Sequence, residues 1–385
     1  MTMHATLRRN DPIIAPFSIW SALAGMLFFA TVLGVFAGLT RLALGLGATT
    51  ALNDAYPWGI WIGFDFALIA LSGVGFTMAA VVHIFHLHRF QPALRPALLA
   101  GLLGYVAVLL LLVLDLGRPD RFYHFILYWN LHSPLFEISW CVLLYSTVLM
   151  IEVSPDIFRW LGWQRPQRWV RWIMGPVTII GVTLSTLHQS TLGTLYLNMP
   201  HRLDSLWWSP LLPLLFYVSS IMAGLSMAIL VYRIAMRLWE RDEQPSVISG
   251  LATGVVWVGL FYLVLRLGSL WWGGQIVHLL DASPVAAALW VELAIGVVAP
   301  LVLLTVPALR RQSWVLWLAP TLVLLGVGFN RFNATLTAQT SPVVGAYSPH
   351  LFEWLSTIGI LAGVALVWGL AVRILMRAPD SGAHG

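Results

Sequence analysis

Eight ionisable side chains stand inside or at the ends of long apolar runs: Asp65, Asp115, Glu137, Glu152, His188, Arg266, Glu292 and Glu353. A charge in a hydrocarbon setting is costly, so each is a candidate for function. Carboxylates and imidazoles placed this way exchange protons, because their surroundings retune their proton affinity. Glu137 and Glu152 invite a joint reading: on one helix, fifteen residues put them about 22 Å apart along the axis and about 60° apart around it. Cys141 and Tyr145 fall between them at helical spacing. A carboxylate at each end of a helix is what a proton path requires, and it is also what two unrelated interfacial charges look like.

Blander roles exist for every member of the set. Asp115 and Glu353 fit helix-end charges, Arg266 a snorkelling or carboxylate-bound cation, and His188 a structural hydrogen-bonding residue. His83, His86 and His88 beside Arg89 read as a solvated edge, and Cys141 as packing. One cysteine excludes a disulfide framework, a cysteine zinc site and an Fe–S cluster held by this chain, and no metal site is expected. Bis-histidine haem needs paired histidines at matching depth on facing helices. His188 and the histidines near position 85 do not match in depth, so no haem is expected either.

The elements that must position these groups follow from composition. Of 385 residues, 59% are apolar and only 10% charged, with a mean hydropathy of +0.83. A soluble domain carries about 25% charged residues, so the chain reads as an all-α, polytopic transmembrane bundle. Apolar segments of about 20 residues, the length that crosses the hydrocarbon core, lie near 17–39, 59–84, 96–116, 134–153, 173–196, 210–232, 247–267, 285–306, 314–330 and 351–373. That makes about ten spans in a single integral membrane domain over 1–385, with short tails at 1–16 and 374–385. The first stretch reads as a retained span, not a cleaved leader.

All 21 basic side chains are arginine. Fifteen fall in the tails and even-numbered loops: Arg8, Arg9, Arg89, Arg95, Arg159, Arg165, Arg168, Arg171, Arg233, Arg237, Arg241, Arg310, Arg311, Arg373 and Arg377. Arg41, Arg118, Arg121, Arg202, Arg266 and Arg331 fall in or beside the odd ones. The asymmetry puts both termini in the cytoplasm. It accounts for the net charge of +5 and pI near 9.7 without a nucleic-acid partner. All eight ionisable groups except Glu152 then fall in the periplasmic half, which predicts one polar cavity opening near the outer face. Most of the twenty tryptophans are expected in interfacial belts.

Five segments in order carry a family resemblance: NDAYPWGIWIGFD from Asn53 to Asp65, RPALL from Arg95, DLGR from Asp115, SPLFE from Ser133 and LHQSTLG from Leu187. Together they resemble the NrfD/PsrC family of quinone-reactive membrane subunits, within it the ten-span hydrogenase-2 type (HybB) branch. The resemblance implies a subunit of a respiratory complex in the bacterial inner membrane, without redox cofactors of its own. It would exchange electrons between menaquinone or ubiquinone, as a diffusible substrate in the lipid, and a periplasmic ferredoxin-like Fe–S protein. That protein would connect to a periplasmic catalytic subunit such as a NiFe hydrogenase or a molybdoenzyme. Glu137, Glu152 and His188 match family positions in proton transfer. His188, Asp65, Asp115 and Glu137 are expected at the quinone site, with Arg118 or Arg266 as charge partners. Arg95 matches a recurrent polar position, and Arg266, Glu292 and Glu353 match more loosely. The rival class is a proton- or ion-coupled transporter using the same carboxylates, which inverted repeats and broken helices would favour. A purely structural anchor is the third. The echo of SPLFE in SPHLFE from Ser348 is not inverted, and both copies place proline at a helix start.

Overall fold

The computed structural model describes residues 19–54, 56–339 and 347–376. The expected 1–16 tail and residues 377–385, with Arg8, Arg9 and Arg377, lie outside them. Among the described residues ten helices are long and apolar enough to cross a membrane: α1 (Trp20–Leu44), α2 (Ile60–Ile84), α3 (His88–Asp115), α4 (Pro134–Trp160), α5 (Gln164–Leu197), α6 (Leu212–Leu238), α7 (Pro245–Trp272), α8 (Pro284–Thr305), α9 (Val315–Thr337) and α10 (Leu351–Leu375). No strand occurs among the described residues. Only helices and closed barrels satisfy their backbone inside a bilayer, so this chain is a multi-pass helical membrane protein.

Local chemistry sets several starts. Pro134, Pro245 and Pro284 open α4, α7 and α8, where a missing N–H costs nothing. Ser133 and Ser283 cap two of them, each Oγ accepting a backbone N–H at 3.4 and 3.1 Å. The two Ser-Pro segments do not start alike. Pro134 is the first residue of α4, whereas Pro349 precedes the cap of α10, which is His350. Glu353 accepts from the His350 backbone N–H at 2.7 Å and closes a capping box.

Several spans outrun the hydropathy pattern, α4, α5 and α9 among them. The α4 helix continues through Glu152, Asp156 and Arg159 to Trp160, α5 begins at Gln164 ahead of Arg165, and α9 passes Arg331 to reach Thr337. Charges lower local hydropathy without breaking the helix, so the apolar window ends before the helix does. Arg41, Arg266 and Arg331, expected in or beside loops, lie inside α1, α7 and α9 and are buried.

The centre of the bundle is α2 and α6, enclosed on most sides, while α1 and α10 keep most of their surface outward. The α6 helix touches α2, α3, α5, α7 and α9; α4 packs along α5, and α1 along α10. Helices in lipid gain little from apolar burial and associate by close packing at small residues. Gly34 of α1 and Gly359 of α10 meet backbone to backbone, as do Gly296 of α8 and Gly326 of α9, and a Cβ at any of them would overlap its partner's Cα. The α2, α8 and α9 helices each contain a π-turn, at Ala80–Ile84, Ala294–Val298 and Asn333–Thr337. Such widened turns redirect side chains and cluster at sites where an α-helix alone would not.

Candidate functional site

The face where α4 meets α5 carries polar groups from end to end. On α4 they are Glu137, Cys141, Tyr145 and Glu152, and on α5 Thr178, Ser185, His188 and Thr191, each set at helical spacing. At one end the Thr191 hydroxyl donates to Glu137 Oε1 at 2.7 Å. One turn along α5, His188 is fully enclosed. Its Nε2 pairs with Tyr105 Oη of α3 at 2.5 Å and its Nδ1 with Leu184 O at 3.1 Å. Tyr145 completes this centre, its ring 5.1 Å from Tyr105 and 5.8 Å from His188. Tyr145 Oη, Ser146 Oγ, Ser185 Oγ and Gln189 Oε1 are buried without a partner in hydrogen-bonding geometry among the described residues. At the far end Thr178 donates to Glu152 Oε1 at 2.9 Å.

Beyond Glu152 the bundle opens. A cavity of about 740 Å³ lies among α3, α4 and α5 at the arginine-rich end, and Glu152 lines it. Arg95 pairs with Asp156 at 2.5 Å beside it, with Arg159 at 3.5 Å from the same oxygen. The sequence predicted a polar cavity at the opposite face; Asp65, Glu137 and His188 do not line this one. Glu137 is also exposed, where the apolar sequence around it suggested enclosure. It stands in the first turn of α4, where the helix has just left a loop.

Asp65 and Asp115 form a different group. Both are neighbours of one another, and Asp115 faces Arg41 and Glu353. Arg41 is 2% exposed and donates to Leu116 O at 2.6 Å. Asp65 is 4% exposed, with Oδ1 unpartnered among the described residues. The arginine beside Asp115 is therefore Arg41, not Arg118 or Arg266. Arg118 is spent in an exposed loop on Asp120, with contacts of 2.8 and 2.9 Å that hold the Asp120 carboxyl below the ordinary range. Glu353 is wholly committed: besides capping α10 it accepts from Ala51 N and from Tyr347 Oη.

Glu292 and Arg266 belong to a third group. Glu292 of α8 accepts from Asn330 Nδ2 at 2.8 Å and Asn333 Nδ2 at 3.1 Å, with Arg266 nearby. Arg331 donates to Phe216 O and Ser219 Oγ at 3.0 and 2.9 Å, and its guanidinium lies 3.7 Å from the Phe216 ring centre. The π-turns of α8 and α9 begin just after Glu292 and at Asn333. The structure thus separates the predicted residues into three clusters. The partners missed in sequence include Arg41, Tyr105, Thr178, Thr191, Asn330, Arg331 and Asn333. Of these, Thr178 and Thr191 are signalled by their spacing from His188 on α5.

The family profile described as "Polysulphide reductase, NrfD" matches residues 48–342, which takes in α2 to α9. A protein of Nitratidesulfovibrio vulgaris is 34% identical over 364 residues, covering 91% of this chain and 93% of its own. The "Probable Ni/Fe-hydrogenase 2 b-type cytochrome subunit" of Escherichia coli K12 is 30% identical over 346 residues, 88% of each chain. The "Menaquinone reductase, integral membrane subunit" of Nitratidesulfovibrio vulgaris is 29% identical over 398 residues, covering 95% of this chain and 93% of its own.

Proposed function

This chain belongs to the NrfD family, and from that premise we propose that it is the membrane subunit of a respiratory complex that exchanges electrons between a periplasmic ferredoxin-like Fe–S protein and the quinone pool. A catalytic subunit of the NiFe-hydrogenase or molybdoenzyme kind would complete the complex on the periplasmic side of a bacterial inner membrane. The names carried by the relatives, a Ni/Fe-hydrogenase subunit and a menaquinone reductase subunit, support that assignment. The arginine distribution supports an orientation with both termini cytoplasmic, Glu137 near the periplasmic face and the 740 Å³ cavity at the cytoplasmic one.

The observation that carries the reading is the polar face between α4 and α5. Reducing a quinone consumes two electrons and two protons, and oxidising a quinol releases the same set. Thr178, Tyr145, Ser185, His188, Tyr105 and Thr191 all carry groups that donate and accept alike, which a chain of proton hops requires. Their unpartnered atoms call for bridging water, as buried polar atoms in folded proteins generally do. Glu137 exchanges protons near the quinone and Glu152 exchanges them with the cavity. Asp65 and Asp115, beside Arg41, supply polar groups at the quinone end. A quinone oxygen reaches His188 only if the Tyr105 hydroxyl gives up its contact, so His188 acts first through that pair.

The word cytochrome in the name of the Escherichia coli relative raises haem. Among the described residues the spans hold His83, His88 and His188. His83 and His88 lie at one end of their helices, while both nitrogens of His188 are engaged. These positions do not fit two axial ligands, and no step is assigned to haem or to a chain-borne Fe–S cluster.

Glu137→Gln and Glu152→Gln test the reading in the assembled complex. Each should lower quinone-linked turnover about tenfold or more, while dye reduction by the catalytic subunit is retained. Wild-type quinone turnover in both variants would reduce the α4–α5 face to packing.

A further inference from the structure

The cavity beside Glu152 has a chemistry that proton exchange does not use. Its walls include Arg95, Arg159, Arg168 and Arg171, with Gln164 and Gln167 between them. Against four arginines stand two acids, Glu152 and Asp156, an excess of two positive charges with both ionised. Arg95 and Arg159 are engaged by Asp156. Arg168 and Arg171, one turn apart on α5, are exposed and have no acidic or hydrogen-bonding partner among the described residues. Two like charges on one helix face repel, and an arginine fork matches the oxygens of a phosphate.

A second, independent observation fixes the depth. Trp160, Trp163, Trp169 and Trp172 surround this end of α4 and α5 and are 60, 54, 64 and 81% exposed. Exposed tryptophans settle at the level of lipid headgroups. Along α5 toward the bilayer centre the exposed side chains turn apolar, with Ile179 and Ile180 59 and 53% exposed. An oxyanion at headgroup depth with hydrocarbon directly below it describes a phospholipid.

We propose that this cavity binds the phosphate headgroup of an anionic phospholipid, held by Arg168 and Arg171. Gln164 and Gln167 offer hydrogen bonds to glycerol hydroxyls, and the acyl chains follow the apolar flank of α5. The Arg95–Asp156 pair lines the same cavity and keeps Arg95 engaged, which leaves Arg168 and Arg171 for the phosphate. The inference is independent of the quinone reading, since it concerns lipid retention rather than turnover.

The test uses the full chain, purified in mild detergent, with retained phosphatidylglycerol counted by mass spectrometry after washing. The wild type should retain phosphatidylglycerol in preference to added phosphatidylcholine. Arg168→Ala/Arg171→Ala should bind it about 30-fold more weakly, from the worth of two arginines near a headgroup. Arg165→Ala, on the same turns but outside the cavity, should retain it like wild type, and Arg168→Lys/Arg171→Lys should retain most of it. Unaltered retention in the double alanine variant, or no preference over phosphatidylcholine in the wild type, overturns the proposal. So does stripping of the lipid by millimolar inorganic phosphate, which would make the site one for a free anion. If the alanine variant does not fold, the wild-type preference and the lysine variant still decide.

Discussion

Glu152 and Glu292 are both carboxylates buried within spans, yet their surroundings differ in kind. Glu152 accepts one hydrogen bond, from the Thr178 hydroxyl, and lines a cavity. Glu292 accepts from two amides and has Arg266 beside it and Arg331 bonded to Asn330. A hydroxyl donates and accepts, so a proton can pass through it. An amide NH₂ only donates, and a guanidinium does not give up its proton. The α4–α5 face is therefore built from groups that relay protons, and the α7–α9 cluster from groups that fix a charge in place. Both cost burial of polar atoms, but the second returns it as a rigid joint between helices. Burial and charge alone do not mark a proton route; the donor type of the neighbours does.

The sharpest way to break this contrast is Glu292→Leu. It strands Arg266 and Arg331 in the bundle without their acid, a loss of about 3–5 kcal/mol. Yield in the membrane and thermal stability in detergent should both collapse, and normal assembly would mean the cluster locks nothing. Its isosteric counterpart Glu292→Gln, where it assembles, should keep quinone turnover within about twofold of wild type. A fall as deep as that of Glu152→Gln would make the α7–α9 cluster a second relay. Tyr105→Phe comes next. It leaves His188 Nε2 without its partner, about 1–3 kcal/mol of stability, and should slow quinone turnover several-fold while sparing dye reduction. Full turnover in the phenylalanine variant would remove Tyr105 and its histidine from the path.

The smallest effect is expected at Asp120→Asn, which sits outside both networks. Arg118 holds the Asp120 carboxyl below its ordinary range, so whatever it adds is present above the unfolded pKa. It is lost only as pH falls through the lowered folded value, below about pH 4. The pair is exposed and screened by salt. At neutral pH neither melting nor turnover should change, and a measurable drop would show that loop charges cannot serve as the baseline for the other variants.

The fold was largely legible because a span announces itself by length and hydropathy, and all ten spans lie where apolar runs lie. Their ends were less so, since Arg165 to Arg171 and Arg331 look like loop residues to a hydropathy window while the backbone stays helical through them. Asp65, Asp115, Glu137, Glu152 and His188 stood out by being ionisable in apolar surroundings. Which of them share a cluster did not, because one sequence carries no information on contacts between spans. Tyr105 and Thr178 were overlooked for a related reason: a tyrosine or threonine in a span is unremarkable until its partner is known. Arg41 was read as an edge residue because it stands two residues beyond the apolar run at 17–39, whereas α1 continues through it to Leu44.

The contact between Gly34 and Gly359 joins the first and last of the ten spans, and it has a consequence for biogenesis. A ribosome adding about 5–20 residues per second needs tens of seconds to travel from α1 to α10. Throughout that interval α1 waits in the bilayer with its glycine face bare, which its Phe28, Phe29 and Phe36 side chains, all turned outward in the finished bundle, make tolerable. Arg41 waits with it, near the membrane surface. Closure of α10 against α1 therefore comes after all nine preceding spans have been made: a chain cut short before Leu351 would leave α1 without its seat and offer an open helix face to the membrane proteases.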